Sequence, residues 1–160
     1  MADLVRRSAS RLARHAKDRG PVREFLSFGL ANELYAVELT RIREILSPPP
    51  MTRVPRAPQS IVGICSVRGL LVTVLDLRRC LRLTELPLTR RARILLVEAD
   101  AGEAVGLLVD EVRQVVRLSE GEIELSTSVL GGDASEHVLG VGRPHGELLV
   151  LLDIGGIVRR

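Results

Sequence analysis

The pattern of apolar and polar residues changes at Pro21. Before it, from Asp3 to Asp18, apolar residues recur at roughly helical spacing and Arg and Lys fill the other positions, which predicts a short basic N-terminal helix or extension over residues 1–23. After it, short runs of Val, Ile and Leu are separated by turn residues about every 8 to 12 positions, a pattern typical of a β sandwich or barrel. We therefore expect an all-β body.

The apolar runs predict eight strands, and further strands near Ile45 and Val115. A proline-rich run, Ser47–Pro50 followed by Pro55 and Pro58, predicts an extended loop, because proline cannot donate a ladder hydrogen bond. Residues 86–91 predict a linker between a first module, 24–91, and a second module, 92–160. The eight predicted strands are Glu24–Gly29, Glu33–Glu38, Ile61–Val67, Leu70–Leu75, Ile94–Glu98, Ala104–Val109, Val138–Gly142 and Glu147–Leu152.

The chain contains an internal repeat. Residues 61–77 align with residues 138–154 at a shift of 77, with five identities in 17 ungapped positions, and residues 35–46 align with 105–116 at a shift of 70. The five identical pairs are Gly63/Gly140, Gly69/Gly146, Leu71/Leu148, Leu75/Leu152 and Asp76/Asp153. Two copies of a small five-stranded module predict two small barrels that pack against each other, with a binding site between them.

The repeated polar and glycine positions predict turns and caps in both copies. Gly69 and Gly146 separate two strand-like runs, where a hairpin turn requires a positive φ. Gly63 and Gly140 are assigned to the same structural class of turns and caps. Asp76 and Asp153 follow the second strand of each pair, where a carboxylate can cap a helix N-terminus. A catalytic role for this aspartate pair is disfavoured, since no acid or base partner repeats with it.

Charge separates the N-terminal extension from the body. Residues 1–23 carry seven basic and two acidic groups (net +5), whereas the other 137 residues carry 16 basic and 18 acidic groups (net −2). Only 2% of residues are aromatic, which disfavours nucleic-acid binding by the body.

No apolar run is long enough for a membrane span. Cys65 and Cys80 lack metal or disulfide spacing, which fits free thiols in a reducing cytoplasm.

The sequence offers little catalytic chemistry. It has no phosphate-binding glycine loop or nucleophile-elbow motif, and His15, His137 and His145 have no nucleophile or metal ligand at a telling spacing, so we expect no enzyme, metal or cofactor. Arg68, in the turn Ser66–Gly69, is either a solvated turn arginine or a guanidinium that holds a carboxylate or backbone carbonyls. Its repeat equivalent is His145, so the fold does not require arginine there.

From about Phe25 to Val158 the chain resembles the CheW-type chemotaxis coupling proteins. The resemblance rests on short motifs in a fixed order, which include Ile42-Arg43-Glu44-Ile45, Val54-Pro55-Arg56-Ala57-Pro58, Arg68-Gly69, Asp76-Leu77-Arg78 and Gly106-Leu107-Leu108-Val109-Asp110. It implies two intertwined, SH3-like, five-stranded barrels without catalytic activity. It also implies a cytoplasmic adaptor, recruited to receptor arrays, that bridges the regulatory domain of a CheA-type histidine kinase and the helical hairpin tip of methyl-accepting receptors, with other CheW-like domains as further neighbours in array rings.

The resemblance also implies a receptor-binding groove between the barrels, which we call the predicted groove. Core packing is an open alternative for Leu26 and Ile45, and the family implies no individual kinase-contact residues for this chain. The predicted groove is lined by Leu26, Leu39, Ile42, Ile45 and Val115, with Glu44 and Arg68 as polar contacts.

Three departures from the family's pattern favour a specialised coupling protein: Ser66-Val67 before Arg68, Thr73 in the next strand, and the long basic extension. Two alternatives stay open. One is a paralogue that binds a single partner as a competitor or insulator. The other is a nucleic-acid or anionic-membrane binder that uses residues 1–23.

Overall fold

The computed structural model describes residues 20–125 and 137–159, and the predicted N-terminal helix lies outside these ranges. The described residues form eleven strands in two sheets, which confirms the all-β prediction. Strand β1 begins at Val22, so the body starts slightly before the predicted end of the extension. The strands are β1 Val22–Leu30, β2 Glu33–Glu38, β3 Ile42–Leu46, β4 Ile61–Val67, β5 Leu70–Asp76, β6 Arg93–Glu98, β7 Ala104–Val109, β8 Glu111–Ser119, β9 Glu124–Leu125, β10 Val138–Gly142 and β11 Leu149–Leu152.

Short helical segments connect some of these strands. Two α-helical turns, α1 (Leu77–Cys80) and α2 (Ile154–Val158), follow β5 and β11. In the part of the chain that the structure describes, three 3₁₀ turns lie at Leu39–Arg41, Glu120–Glu122 and Pro144–Gly146. No helix in the described part of the chain is long and apolar enough to cross a membrane.

Each sheet takes strands from both halves of the sequence. The first sheet has the order β8-β1-β2-β11-β10-β9, and the second has the order β3-β6-β7-β5-β4. The boundary between 24–91 and 92–160 therefore does not separate two spatial units, since β1 and β2 lie among strands of the second half and β6 and β7 lie among strands of the first. This exchange agrees with the intertwining that the resemblance implies, although the linear order of the strands alone does not show it, because strand pairing depends on long-range packing.

The repeat is visible in the pairing of the strands. The repeat relates β3, β6, β7, β5 and β4 of the second sheet to β8, β1, β2, β11 and β10 of the first sheet. The related strands stand in the same order in both sheets. Both sheets contain one parallel pair, β5 with β7 and β2 with β11. The backbone amide of Asp76 donates to Ser60 (2.8 Å) and that of Asp153 donates to His137 (2.9 Å), again 77 residues apart. The two sheets are thus related copies; closure of each into a barrel stays a prediction.

The repeated glycines have two different roles, and one differs from the sequence prediction. Gly69 and Gly146 have φ of +81° and +83°, as expected in turns. Gly63 and Gly140 instead lie inside β4 and β10, beside a register shift. A Cβ on Gly63 would lie 2.6 Å from the Thr52 carbonyl oxygen, and one on Gly140 would lie 2.4 Å from that of Glu124. These two glycines are needed for close backbone approach, which a sequence pattern does not distinguish from a turn.

The two repeated aspartates both occupy N-cap positions, but their side chains differ. The Asp76 carboxylate accepts a hydrogen bond from the Arg78 backbone amide (2.9 Å), as a helix cap does. Asp153 precedes α2 without a side-chain cap hydrogen bond. Asp76 is therefore a helix cap as predicted, whereas Asp153 occupies the predicted N-cap position without making the cap hydrogen bond.

Among the described residues, the core consists of three apolar clusters. One combines side chains of both sheets, including Phe28, Leu95 and Leu107. The second belongs to the second sheet and includes Ile94, and the third belongs to the first sheet and includes Phe25. Because successive side chains of a strand point to opposite faces, β1 and β6 are buried on both sides.

Candidate functional site

The predicted groove residues nearest the core lie where the two sheets meet. Leu39 and Ile42 are half-buried and pack against the cluster shared by the sheets. Leu26 belongs to that cluster and is only 4% exposed, so it is a core residue and does not line a surface groove. Its strand lies between β8 and β2, with both faces covered. The sequence showed an apolar residue in a strand but not how many faces of that strand are buried.

Two other predicted groove residues lie on the outer strands of the sheets. Ile45 in β3 is 43% exposed, and Val115 in β8 is 47% exposed. The two positions are related by the shift of 70 and occupy the same place in their respective sheets. Large apolar side chains at this exposure are available to a partner protein.

The two predicted polar contacts bind each other. The Arg68 guanidinium donates two hydrogen bonds to the Glu44 carboxylate, of which the Nη1–Oε2 bond measures 2.7 Å. Arg68 (φ 50°) and Gly69 (φ 81°) are consecutive left-handed residues in the two-residue turn between β4 and β5, as in a type I′ hairpin. The turn thereby places Arg68 against β3, on the opposite edge of the sheet. The Arg68 side chain remains 75% exposed.

A buried charge network, which was not predicted as a site from the sequence, connects the two halves of the chain. Arg78 donates from Nε to Asp76 Oδ1 (3.1 Å) and from Nη2 to Asp76 Oδ2 (3.0 Å). Its Nη1 donates to the Leu86 carbonyl and lies 3.4 Å from Asp110 Oδ1. Asp110 Oδ2 accepts from the Ala31 amide (2.8 Å). One arginine therefore joins α1, the end of β7 and the 86–91 segment.

The hydrogen bonding of the Arg78 guanidinium to the Asp76 carboxylate is the main reason that the pKa of Arg78 is raised, and desolvation opposes it. The Arg78 side chain is only 5% exposed and that of Asp76 only 2%. A buried arginine of this kind is permanently charged and must be neutralised locally. The only sequence signal for it was the Asp76-Leu77-Arg78 motif of the resemblance.

The described residues form no arrangement that indicates catalysis. Within 20–125 and 137–159, no three His, Cys, Asp or Glu side chains are grouped so that they could hold a metal ion. Cys65 is buried, and desolvation raises the pKa of its thiol, which disfavours the reactive thiolate. His145 lies in the turn before β11, at an exposed position. His15 lies outside the described ranges. The surface features above are suited to binding.

Comparison with known proteins agrees with this interpretation. The family model "CheW-like domain" matches residues 24–160. "Protein FrzA" of Myxococcus xanthus is 32% identical over 142 residues, covering 87% of each chain. "Chemotaxis protein CheW" of Klebsiella aerogenes is 29% identical over 132 residues, covering 82% of this chain and 78% of that protein.

A solved structure shares the fold. The crystal structure of the scaffolding protein TtCheW from Thermoanaerobacter tengcongensis superposes with a TM-score of 0.78 at 26% identity, covering 86% of this chain and 93% of the other. The chain therefore belongs to the CheW-like domain family, a family of non-enzymatic chemotaxis scaffolds.

Proposed function

We propose that this protein couples methyl-accepting chemoreceptors to a CheA-type histidine kinase, as a cytoplasmic adaptor recruited to receptor arrays. The family match over residues 24–160, together with relatives named as chemotaxis and scaffolding proteins, supports this proposal. An adaptor of this kind raises the effective concentration of kinase at the receptor without any chemistry of its own.

The observation that carries the receptor contact is the combination of apolar and charged positions around β3. Ile45 is exposed, Ile42 is half-buried at the junction of the sheets, and Glu44, also in β3, pairs with Arg68 of the β4–β5 turn. An amphipathic helix recognises such a surface through apolar anchors, and the flanking charges fix its orientation. We therefore assign Leu39, Ile42, Ile45, Val115, Glu44 and Arg68 to the receptor contact.

The first test is calorimetric titration of the protein with two separate ligands. One is the regulatory domain of the cognate CheA-type kinase, and the other is a receptor fragment that contains the helical hairpin tip. We expect both to bind, and each to bind with unchanged affinity when the other is already saturating. Binding of the kinase domain alone would favour the competitor or insulator role, and binding of neither ligand would contradict the proposal.

The second test locates the receptor contact. Ile45→Asp and Arg68→Glu should each weaken receptor-fragment binding and leave kinase binding intact, because both side chains are exposed and their replacement leaves the core unchanged. Leu88→Asp is the matched control for Ile45→Asp, since Leu88 is 46% exposed in the 86–91 segment. Unchanged receptor binding in both variants, with native circular dichroism, would refute this assignment of the surface.

A further inference from the structure

The loop between β3 and β4 forms a basic concavity, distinct from the predicted groove. It has a volume of about 650 Å³. Arg53, Arg56 and Arg79 contribute its positive charges, and the apolar side chains of Pro55, Ile61 and Val62 contribute to its wall. None of the residues that line it belongs to the predicted groove. We call this surface the loop concavity.

The charges of the loop concavity are unbalanced. Glu85 is the one acidic residue among those that line it, and Glu85 already accepts a hydrogen bond from Arg79 Nε (2.9 Å). The Arg53 and Arg56 side chains make no ion pair or hydrogen bond with any residue in 20–125 or 137–159. Both side chains are exposed. Two guanidinium groups beside an apolar wall thus lack an acidic partner within the described part of the molecule.

Hydrogen bonds fix the conformation of the loop that carries Arg53 and Arg56. Thr52 and Ile64 exchange two backbone hydrogen bonds of 2.8 Å, and the Ile61 amide donates to the Pro58 carbonyl (3.0 Å). The Gln59 carbonyl accepts from Arg79 Nη1 (3.0 Å). A preorganised loop loses little conformational entropy when a ligand binds.

Arg56 occupies a backbone position that arginine rarely adopts. The Ala57 amide donates to the Val54 carbonyl (3.3 Å), which closes a turn with Pro55 and Arg56 at its centre. Arg56 has φ of 62°, at the turn position where glycine or asparagine is favoured. The turn thus presents the Arg56 side chain from a position where glycine would be less strained.

We propose that the loop concavity binds an acidic, extended segment of a partner protein, with Arg53 and Arg56 pairing to its carboxylates and its apolar side chains lying against the wall. This inference does not depend on the proposed coupling of receptor and kinase. Charge complementarity selects carboxylates, and guanidinium forks match their geometry. A protein segment fits better than a nucleic acid, because the wall is aliphatic and residues 24–160 carry a net charge of −2.

The test measures fluorescence anisotropy of a labelled short peptide of alternating glutamate and valine, mixed with the full chain. We expect saturable binding that is lost when glutamine replaces glutamate, and that weakens on the order of tenfold in the variant Arg53→Glu/Arg56→Glu. The control Arg117→Glu/Arg143→Glu makes the same charge change at exposed positions elsewhere and should bind as the wild type does.

A second variant separates binding from folding. Arg56→Gly relieves the strained backbone, so it should keep or raise the melting temperature and still weaken peptide binding. Equal binding by the wild type and both Arg56 variants, or absence of peptide binding, would overturn the proposal. Tighter binding of a single-stranded oligonucleotide or of phosphatidylserine vesicles at the same two arginines would also overturn it, in favour of a nucleic acid or a membrane.

Discussion

The guanidinium of Arg78 and the carboxylate of Asp76, two residues apart, form a bidentate ion pair that is almost completely shielded from solvent. Through its remaining nitrogen, Arg78 also reaches the Leu86 carbonyl and Asp110, which lies in the other half of the sequence. The pair therefore links a local helix cap to the long-range packing of the molecule.

Removing the Arg78 charge should destabilise the protein strongly. Arg78→Met removes the bidentate partner of the buried Asp76 carboxylate and leaves it only the partly exposed Arg79, whose Nε lies 3.8 Å away. We therefore expect a loss of about 3 kcal/mol in the free energy of unfolding, measured by urea denaturation. Arg78→Lys should recover little of the lost free energy of unfolding, because an ammonium group cannot bind both carboxylate oxygens and the Leu86 carbonyl in the same planar arrangement.

Arg113→Met is the control for this measurement. It breaks the Arg113–Glu111 ion pair (2.9 Å), whose arginine side chain is 55% exposed, and should cost less than about 1 kcal/mol. A similar loss in Arg78→Met and Arg113→Met would contradict a structural role of the buried network.

Alanine at Gly63 or Gly140 should destabilise the fold. In both variants the new Cβ would collide with a backbone carbonyl oxygen of the neighbouring segment, at 2.6 Å and 2.4 Å. Because a backbone group cannot rotate away as a side chain can, we expect each substitution to cost about 1 to 3 kcal/mol in urea denaturation. Gly69→Asn is the comparison, since Asn tolerates a positive φ and no atom lies within 4 Å of a Cβ there. A cost at Gly63 no larger than at Gly69 would rule out the close-approach explanation.

Tyr35 should ionise only in strong alkali. Burial is the largest cause that raises its pKa from 10.0 to about 12, and the hydrogen bond and charge of Glu33 add to it. Tyr35 is the one tyrosine of the chain, which has no tryptophan, so the phenolate absorbance reports this residue alone. Glu33→Gln should lower the pKa in part, and a midpoint near 10 in the wild type would contradict a buried phenol.

The raised pKa of Tyr35 also makes the stability of the fold depend on pH. The phenol is more acidic in the unfolded chain than in the folded one, so its contribution is fully present below pH 10 and is lost as pH rises from 10 to about 12. Urea midpoints measured across this interval should fall more steeply for the wild type than for Tyr35→Phe. Parallel pH profiles of the two proteins would exclude this linkage.

The Glu44–Arg68 ion pair should contribute little to folding. Its arginine is 75% exposed, so a double-mutant cycle with Glu44→Gln and Arg68→Gln should give a coupling free energy of no more than about 1 kcal/mol in urea denaturation. A much larger coupling would mean that the pair is a structural clasp between the turn and β3, and receptor-binding defects of Arg68 variants would then need a different interpretation.

The positions of the strands were predictable from the sequence because their apolar runs are short, dense in β-branched residues and repeated. The strand Glu33–Glu38 was predicted with its observed bounds, and β4 likewise. The two-residue β9, Glu124–Leu125, was missed, because it carries no apolar run and forms only through pairing with β10.

Burial was harder to predict than strand position. Leu26 and Ile45 are both aliphatic residues in short strands, yet one is in the core and the other is 43% exposed. The difference arises from the faces of the strands: the second half of β1 is buried on both faces, whereas half-buried and exposed positions alternate along β3. Similarly, arginine is a surface residue by default, and only the proximity of Asp76 and Asp110 permits the burial of Arg78.

Because strands are exchanged between the halves of the sequence, cutting the chain between the halves would leave both sheets incomplete. A fragment ending at Leu88 would contain β1 and β2 without β8 and β11, their hydrogen-bonding neighbours in the sheet, and would leave β5 without β7. Neither this fragment nor the remaining fragment, residues 89–160, can complete a sheet alone, but the two together contain every strand of both sheets. Separately produced fragments should therefore reassemble by complementation into both sheets.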